Sequence, residues 1–310
     1  MTDLLEKVLD VHGGLDNWRR VNTVDFRLTL RGGALAVKQQ PQGLRDVFVK
    51  IDTRSQRTLI TPFPAPGSRG IFGDGRVTIE TDAGVKTSEL DEPRKSFEGH
   101  QPQSPWTEQQ FLYFVGYALQ NYMTMPFLLT KDSVRCEEIA PHEEHGERWR
   151  VLKVTFPPSI HVHCPEQKFY FNDAGYLVRN DYAPEVTHRT AAHYTFDHKN
   201  FDGFMFPTHR RVVLRDANGH TLLTAPSIFR LDIESVVLSR AWVTDECASA
   251  TAPISRRSPP NDFPYPQQQV IRHSGEDRAS FKQSCPGDRR QSRHRRDTKL
   301  EDLVTSITVE

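Results

Sequence analysis

The sequence predicts a mainly β (α+β) domain built on an antiparallel sheet, spanning residues 1 to about 243, followed by a disordered Pro/Gln/Arg-rich tail over 244–310. Three observations carry this expectation. Apolar and polar residues alternate with a period of two through most of the first part, as strands with one buried and one wet face require. Successive alternating segments are joined by short turns rich in Gly, Asn and Asp, without the helical crossovers that parallel strands need. Beyond Val243 the period disappears, and 255–297 is built from Pro, Gln, Ser, Arg and Asp, too little apolar surface to offset the entropy of ordering.

The first element is helical. Leu4, Leu5, Val8 and Leu9 recur at helical spacing, and Gly13-Gly14 after His12 supplies a left-handed stop. Val24, Phe26, Leu28 and Leu30 then alternate with Asp25, Arg27, Thr29 and Arg31, a strand that Gly32-Gly33 turns back. Further strands are expected at 44–51, 57–60, 68–72 and 76–81, the last two joined by Gly73-Asp74-Gly75. An aromatic helix is expected over 104–125, with Ser104 as N-cap and Pro105 at the first helical position. Phe111, Phe114, Val115, Ala118, Leu119 and Tyr122 form its stripe, and Pro126 ends it. Strands resume at 148–156, and hairpins follow at 168–171 with 176–182, 192–198 with 204–206, and 208–215 with 220–223, before a final strand at 228–238.

The 36% hydrophobic content suffices for a core, and the 40 basic and 40 acidic residues cancel, which removes the electrostatic case for a dedicated nucleic-acid binder. Asp3, Glu6 and Lys7 interrupt the apolar residues at the start, so no signal peptide is expected there. No later stretch approaches the roughly 20 apolar residues of a membrane span, and the expected location is the cytoplasm. Cys136, Cys164, Cys247 and Cys285 are too scattered for a disulfide framework or a zinc knuckle.

His161-Val162-His163-Cys164 is the most suggestive cluster, because residues two apart on a strand share a face and two imidazoles there could reach one metal ion. A third ligand would come from His193, His198 or His209. The spacing matches no established zinc signature, so the expectation is no metal and no cofactor, with His161, His163 and His193 as the candidates if one binds. Strand neighbours point to opposite faces, which places His163 badly as a base for a Cys164 nucleophile. Gly13-Gly14 and Gly32-Gly33 read as turns, and Asp181, Glu185 and Asp202 as solvated loop carboxylates. The GxSxG, HExxH and dinucleotide-loop patterns are missing. The tail carries basic runs with Phe263, Tyr265 and Phe281 as possible stacking rings, but they are mixed with acids, Pro and Gln.

The order of a short helix, a meander, a central aromatic helix and more hairpins resembles the LolA/LolB-like lipoprotein-carrier superfamily. The wording is similar to uncharacterised bacterial members with an N-terminal HGGxxxW, here His12, Gly13, Gly14 and Trp18. The likeness continues in Phe169-Tyr170-Phe171-Asn172, Asp181-Tyr182, His193-Tyr194, Phe201-Asp202-Gly203 and Pro207-Thr208. The resemblance implies a strongly curved sheet, an incompletely closed β-barrel with covering helices, and hence a hydrophobic concavity with the 104–125 helix as its lid. The expected function is a soluble protein binding a lipid or other hydrophobic small molecule there. Phe26, Leu28, Leu30, Phe111, Phe114 and Tyr122 are the expected lining, with an ordinary closed core as the other reading of all six. An acyl chain offers about 0.8 kcal/mol per buried methylene, so such a ligand needs no polar motif. Two alternatives stay open: an enzyme using His161, His163 and His193, and an interaction module using the basic tail. No protein partner is identified.

Overall fold

In the computed structural model, which describes residues 2–240 apart from 188, 217–218 and 222–226, the chain enters through helix α1 (Asp3–Val11). The Thr2 hydroxyl accepts a hydrogen bond from the Leu5 N–H at 3.2 Å, and Leu4, Leu5, Val8 and Leu9 form its buried face. A further turn, α2 (Leu15–Trp18), buries Trp18. Strand β1 (Val21–Arg31) is followed by a short helix, α3 (Gly33–Val37), where only a turn was expected. Gly32 has φ +151° and a Cβ there would stand 2.1 Å from the Ile228 carbonyl oxygen, so glycine is required.

The meander continues through β2 (Leu44–Asp52), β3 (Thr58–Thr61), β4 (Ser68–Gly73), β5 (Arg76–Thr81) and β6 (Lys86–Asp91). Helix α4 (Glu108–Thr124) interrupts it. Then come β7 (Arg135–Glu144), β8 (Glu147–Thr155), β9 (Glu166–Phe171), β10 (Leu177–Tyr182), β11 (Ala191–Phe201), β12 (Phe204–Leu214) and β13 (Phe229–Arg240). Segments 204–206 and 208–215, expected as two strands, are one: Pro207 lies within β12 opposite His198. The strand expected at 220–223 falls partly outside the described residues, which show only a bridge between Arg215 and Thr221. The tail expected over 244–310 lies outside them entirely.

All 13 strands belong to one antiparallel sheet, in the order β6-β5-β4-β3-β2-β1-β13-β12-β11-β10-β9-β8-β7. The ends β6 and β7 do not pair, so the sheet is open. Its curvature follows from what α4 touches. The helix packs against β3, β4, β5 and β6, yet its Tyr122 also meets the Tyr182 hydroxyl on β10 and accepts from Arg210 of β12 at its carbonyl. Strands β4 and β10 stand third and tenth in the order. Seven spacings of about 4.8 Å would separate them by about 34 Å in a flat sheet, whereas a helix with its side chains is only about 10–12 Å across. The sheet therefore wraps around α4.

The helix is accordingly buried on every side rather than along one stripe. Its start corrects the sequence reading: Thr107, not Ser104, is the N-cap. The Thr107 hydroxyl accepts from the Gln110 N–H at 3.2 Å while the Gln110 side chain accepts from the Thr107 N–H at 3.0 Å, a reciprocal pair that Ser104-Pro105 cannot form. Ser104 instead accepts from the Gln101 N–H. At Gly116 the helix approaches β4 so closely that a Cβ would stand 2.6 Å from that of Phe72.

Candidate functional site

Residues 156–165 join β8 to β9 as an irregular segment, not the strand expected through His161 and His163. Pro157, Pro158 and Pro165 explain this, since each lacks the N–H that a ladder needs. The segment is a strap across α4, tied down by its histidines and main chain. His161 Nδ1 meets the Tyr113 hydroxyl at 2.9 Å, and its carbonyl accepts from the Asn121 and Gln56 amides. His163 bridges two hydroxyls, Tyr117 at Nδ1 (3.0 Å) and Tyr122 at Nε2 (2.7 Å), and stacks on Tyr182 with 4.1 Å between ring centroids. Arg94 donates to the Tyr113 hydroxyl, the Val162 carbonyl and the Glu185 carboxylate. Helix α4 is thus the filling of the curved sheet, and the strap lies over it.

The geometry gives the two strap imidazoles partners other than a metal. Both ring nitrogens of His163 are committed to tyrosine hydroxyls, and among the described residues no group of three His, Cys, Asp or Glu side chains converges as a ligand set. Burial, aided by the Arg94 charge, pushes the His163 imidazole down to about 3 and lowers that of His161. Cys164 donates to the Glu166 carbonyl, and burial raises its thiol, which disfavours a thiolate nucleophile.

Behind the strap lies an inner pocket. Met125, Phe156, Phe169 and Leu177 form its apolar wall, and Asn180, His193 and Arg210 its polar end. It encloses about 20 Å³, room for about one water molecule. Arg210, on β12, is 2% exposed; Nη2 donates to the Tyr122 carbonyl at 3.2 Å and the guanidinium lies 4.9 Å from the Tyr122 ring centre. No carboxylate pairs with it among the described residues, and its Nε has no partner. Burial pulls its pKa down to about 10, opposed by Tyr122 and Tyr182, so it remains a cation at neutral pH. His193, on β11, meets the Tyr182 hydroxyl at Nδ1 (3.2 Å), while its buried Nε2 also has no partner. Burial, then Arg210 and His163, lower the His193 pKa well below its usual value.

An outer groove of about 330 Å³ opens on the other side of the strap, between the end of α4 and the β2–β3 and β4–β5 turns. Trp18 stacks on Phe127 at 4.4 Å in its wall, beside Phe72, Leu128 and Ile160, with Gln56, Gln120, Lys131 and His161 at its polar margin. His12-Gly13-Gly14 and Trp18 hold this wall in place. His12 Nδ1 lies 2.7 Å from the Val8 carbonyl, closing α1, and a Cβ on Gly13 would stand 2.6 Å from the Phe204 ring.

The structure gathers Phe26, Leu28, Leu30, Phe111 and Phe114 into one core cluster, with Tyr122 packed against it. The first five are 0–6% exposed and fill the concavity; of the six, Tyr122 lines the inner pocket. The sequence reading assigned Arg210, Tyr113, Tyr117 and Tyr182 to no site. The signal was present: Phe204, Phe206, Thr208, Arg210 and Val212 alternate along β12, which turns Arg210 inward, and Tyr113 and Tyr117 lie four apart on one helical face.

Asp181, expected as a solvated carboxylate, is 4% exposed on the opposite face of the sheet. There Arg179, 1% exposed, holds it through Nε at 2.6 Å and Nη2 at 2.9 Å, and also pairs with Glu144. The Tyr170 and Tyr194 rings lie 5.1 and 5.5 Å from the guanidinium, and Arg215 stands 3.5 Å from Asp181. Glu185 and Asp202 pair with Arg94 and Arg240.

No family model and no curated protein matches the chain. Its fold is similar to several solved structures. One is a LolA superfamily protein, NE2245 from Nitrosomonas europaea, at 12% identity over 77% of this chain and 93% of that one, with a TM-score of 0.43. Another is a DUF1329 family protein from Desulfovibrio piger, at 12% identity over 80% and 96%, TM-score 0.47. A third is a Vibrio parahaemolyticus domain described as an outer membrane lipoprotein-sorting protein, at 10% identity over 76% and 91%, TM-score 0.45. These include the superfamily that the sequence resembles. The expected cytoplasmic location does not stand beside them: the third is described as a lipoprotein-sorting protein, although a likeness at this identity shows the fold alone. The expectation rested on residues that turn out to form α1, a packed element of the domain with no bearing on location. Among the described residues no helix is long and apolar enough to cross a membrane.

Proposed function

We propose that the protein binds a lipid or another hydrophobic small molecule on the concave side of its sheet, in the outer groove beside α4. The observation that carries this reading is the groove itself. Its about 330 Å³ lies at the lower end of the roughly 300–1,000 Å³ of small-ligand sites, and its wall joins the main core through Trp18, Phe72, Phe127 and Leu128. A ligand there meets stacked aromatic rings on one side and amide and ammonium groups on the other, which suits an amphiphile. Phe26, Leu28, Leu30, Phe111 and Phe114 act in this reading as the packed floor that shapes the concavity. Against the histidine-enzyme alternative, the imidazoles of His161 and His163 serve as ties to the tyrosines of α4, and the tail alternative lies outside the described residues.

Decanol uptake measured by native mass spectrometry, before and after solvent extraction of the protein, tests the reading. A single adduct is expected, and Leu128→Trp, which fills the groove, should weaken it at least tenfold. Protein that is ligand-free as purified and takes up no decanol would overturn the proposal.

A further inference from the structure

The inner pocket has the makings of a second site, distinct from the outer groove. Its polar end contains a buried guanidinium with no carboxylate beside it among the described residues. A buried cation normally has an anion or a full set of acceptors, because leaving it unpaired is costly. Arg210 has one carbonyl and one aromatic face, and its Nε is unmet. The adjacent His193 repeats the pattern. When Tyr182 donates its hydroxyl proton to Nδ1, the ring N–H sits on Nε2, which is buried without an acceptor. Two unmatched N–H donors and one uncompensated positive charge thus line the same small void.

We propose that the inner pocket is a receptor for a single carboxylate, bound by Arg210 Nε and His193 Nε2 with the guanidinium as its counter-ion. The site supplies one net charge, since His163 and His193 are neutral, so it matches a monoanion better than a phosphate dianion. Its volume admits a carboxylate oxygen where one water would fit. The half-buried Met125, unbranched and free to change rotamer, forms part of the wall through which an attached chain would leave. The carboxylate can therefore belong to a free small acid or be the head of an apolar chain.

Titration calorimetry in chloride-free buffer separates these sources and separates this site from the groove. The probes are acetate, decanoate and decanol; the proteins are the unmodified chain, Arg210→Met and Leu128→Trp. We expect decanoate to bind the unmodified chain and Leu128→Trp, and to bind Arg210→Met at least tenfold more weakly, with Arg210→Lys restoring part of the loss. Acetate binding of equal strength, lost in Arg210→Met, would support the same receptor with a free acid as its ligand. Decanoate and decanol binding equally to unmodified protein and Arg210→Met would overturn the carboxylate site while leaving the groove proposal intact. Absence of binding by acetate and decanoate would also overturn it. If Arg210→Met fails to fold, decanoate against decanol on unmodified protein decides.

Discussion

Among the described residues two arginines are buried almost completely, on opposite faces of one sheet, and they are treated in opposite ways. Arg179 has a bidentate aspartate, a second carboxylate, a carbonyl and two aromatic rings. Burial works against its charge, but Asp181, Tyr194 and Glu144 outweigh it, and the net shift of its pKa is upward. Arg210 has a carbonyl and one ring, and its net shift is downward. The difference separates two uses of a buried cation. The paired one fixes β7, β10 and the β12–β13 connection to each other, whereas the unpaired one leaves binding capacity unspent.

The largest expected effect falls on the paired side. Arg179→Met leaves Asp181 and Glu144 without their main partner in a nearly dry site, and should cost about 3–5 kcal/mol in urea denaturation. A loss under about 1 kcal/mol would show that Arg215 alone neutralises the cluster and would erase the contrast.

Acid should release the two faces in sequence. On the concave side, burial lowers His12 to about 4 and His163 to about 3, and lowers His193 well below its usual value, all from an ordinary 6.5. The unfolded chain therefore takes up protons first, so the stability these neutral rings contribute is complete above pH 6.5 and lost as pH falls towards the folded values. Between pH 6.5 and 5.5 the loss should be about 1 kcal/mol for each ring. Glu144 runs later. Burial raises its pKa, but Tyr194, His142 and Arg179 outweigh this, so its contribution is complete above its ordinary 4.5 and fades below it. A urea midpoint unchanged between pH 7 and 5.5 would contradict the buried neutral histidines.

The smallest effect is expected at Arg210→Met, without the loss expected of Arg179→Met. Removing an uncompensated buried charge at similar volume should leave stability within about 1 kcal/mol of the parent or above it. A loss of more than about 2 kcal/mol in chemical denaturation would show that Arg210 is a structural residue like Arg179.

Most of the sheet was legible because strands such as β1 and β5 bury one face, and burial writes an alternation into the sequence. The two strands that were missed are the two ends. β6 (Lys86–Asp91) and β7 (Arg135–Glu144) are exposed along most of their length, so no apolar period marks them, and they take their register from β5 and β8. β7 even carries Pro141, at the irregularity between Ile139 and His142, which an edge tolerates. The polar site was less legible. His161 and His163 stood out as residue types, but their role depends on tyrosines from a helix more than 35 positions earlier in the chain, and no spacing rule reports that meeting. Arg210 was hidden by its own chemistry, since an arginine in an alternating strand is ordinarily assigned to the wet face.

The charged ends of the sheet carry one more consequence. Lys86, Glu89 and Asp91 line one edge, and Arg135, Glu137, Glu138 and Glu143 the other, and among the described residues each of these strands pairs with one neighbouring strand only. An open sheet of this size would otherwise be a template for strand-by-strand polymerisation between molecules. Docking a second copy against either edge would strip water from these charges, so the side chains that hid these strands from the hydrophobic pattern also oppose edge-to-edge growth.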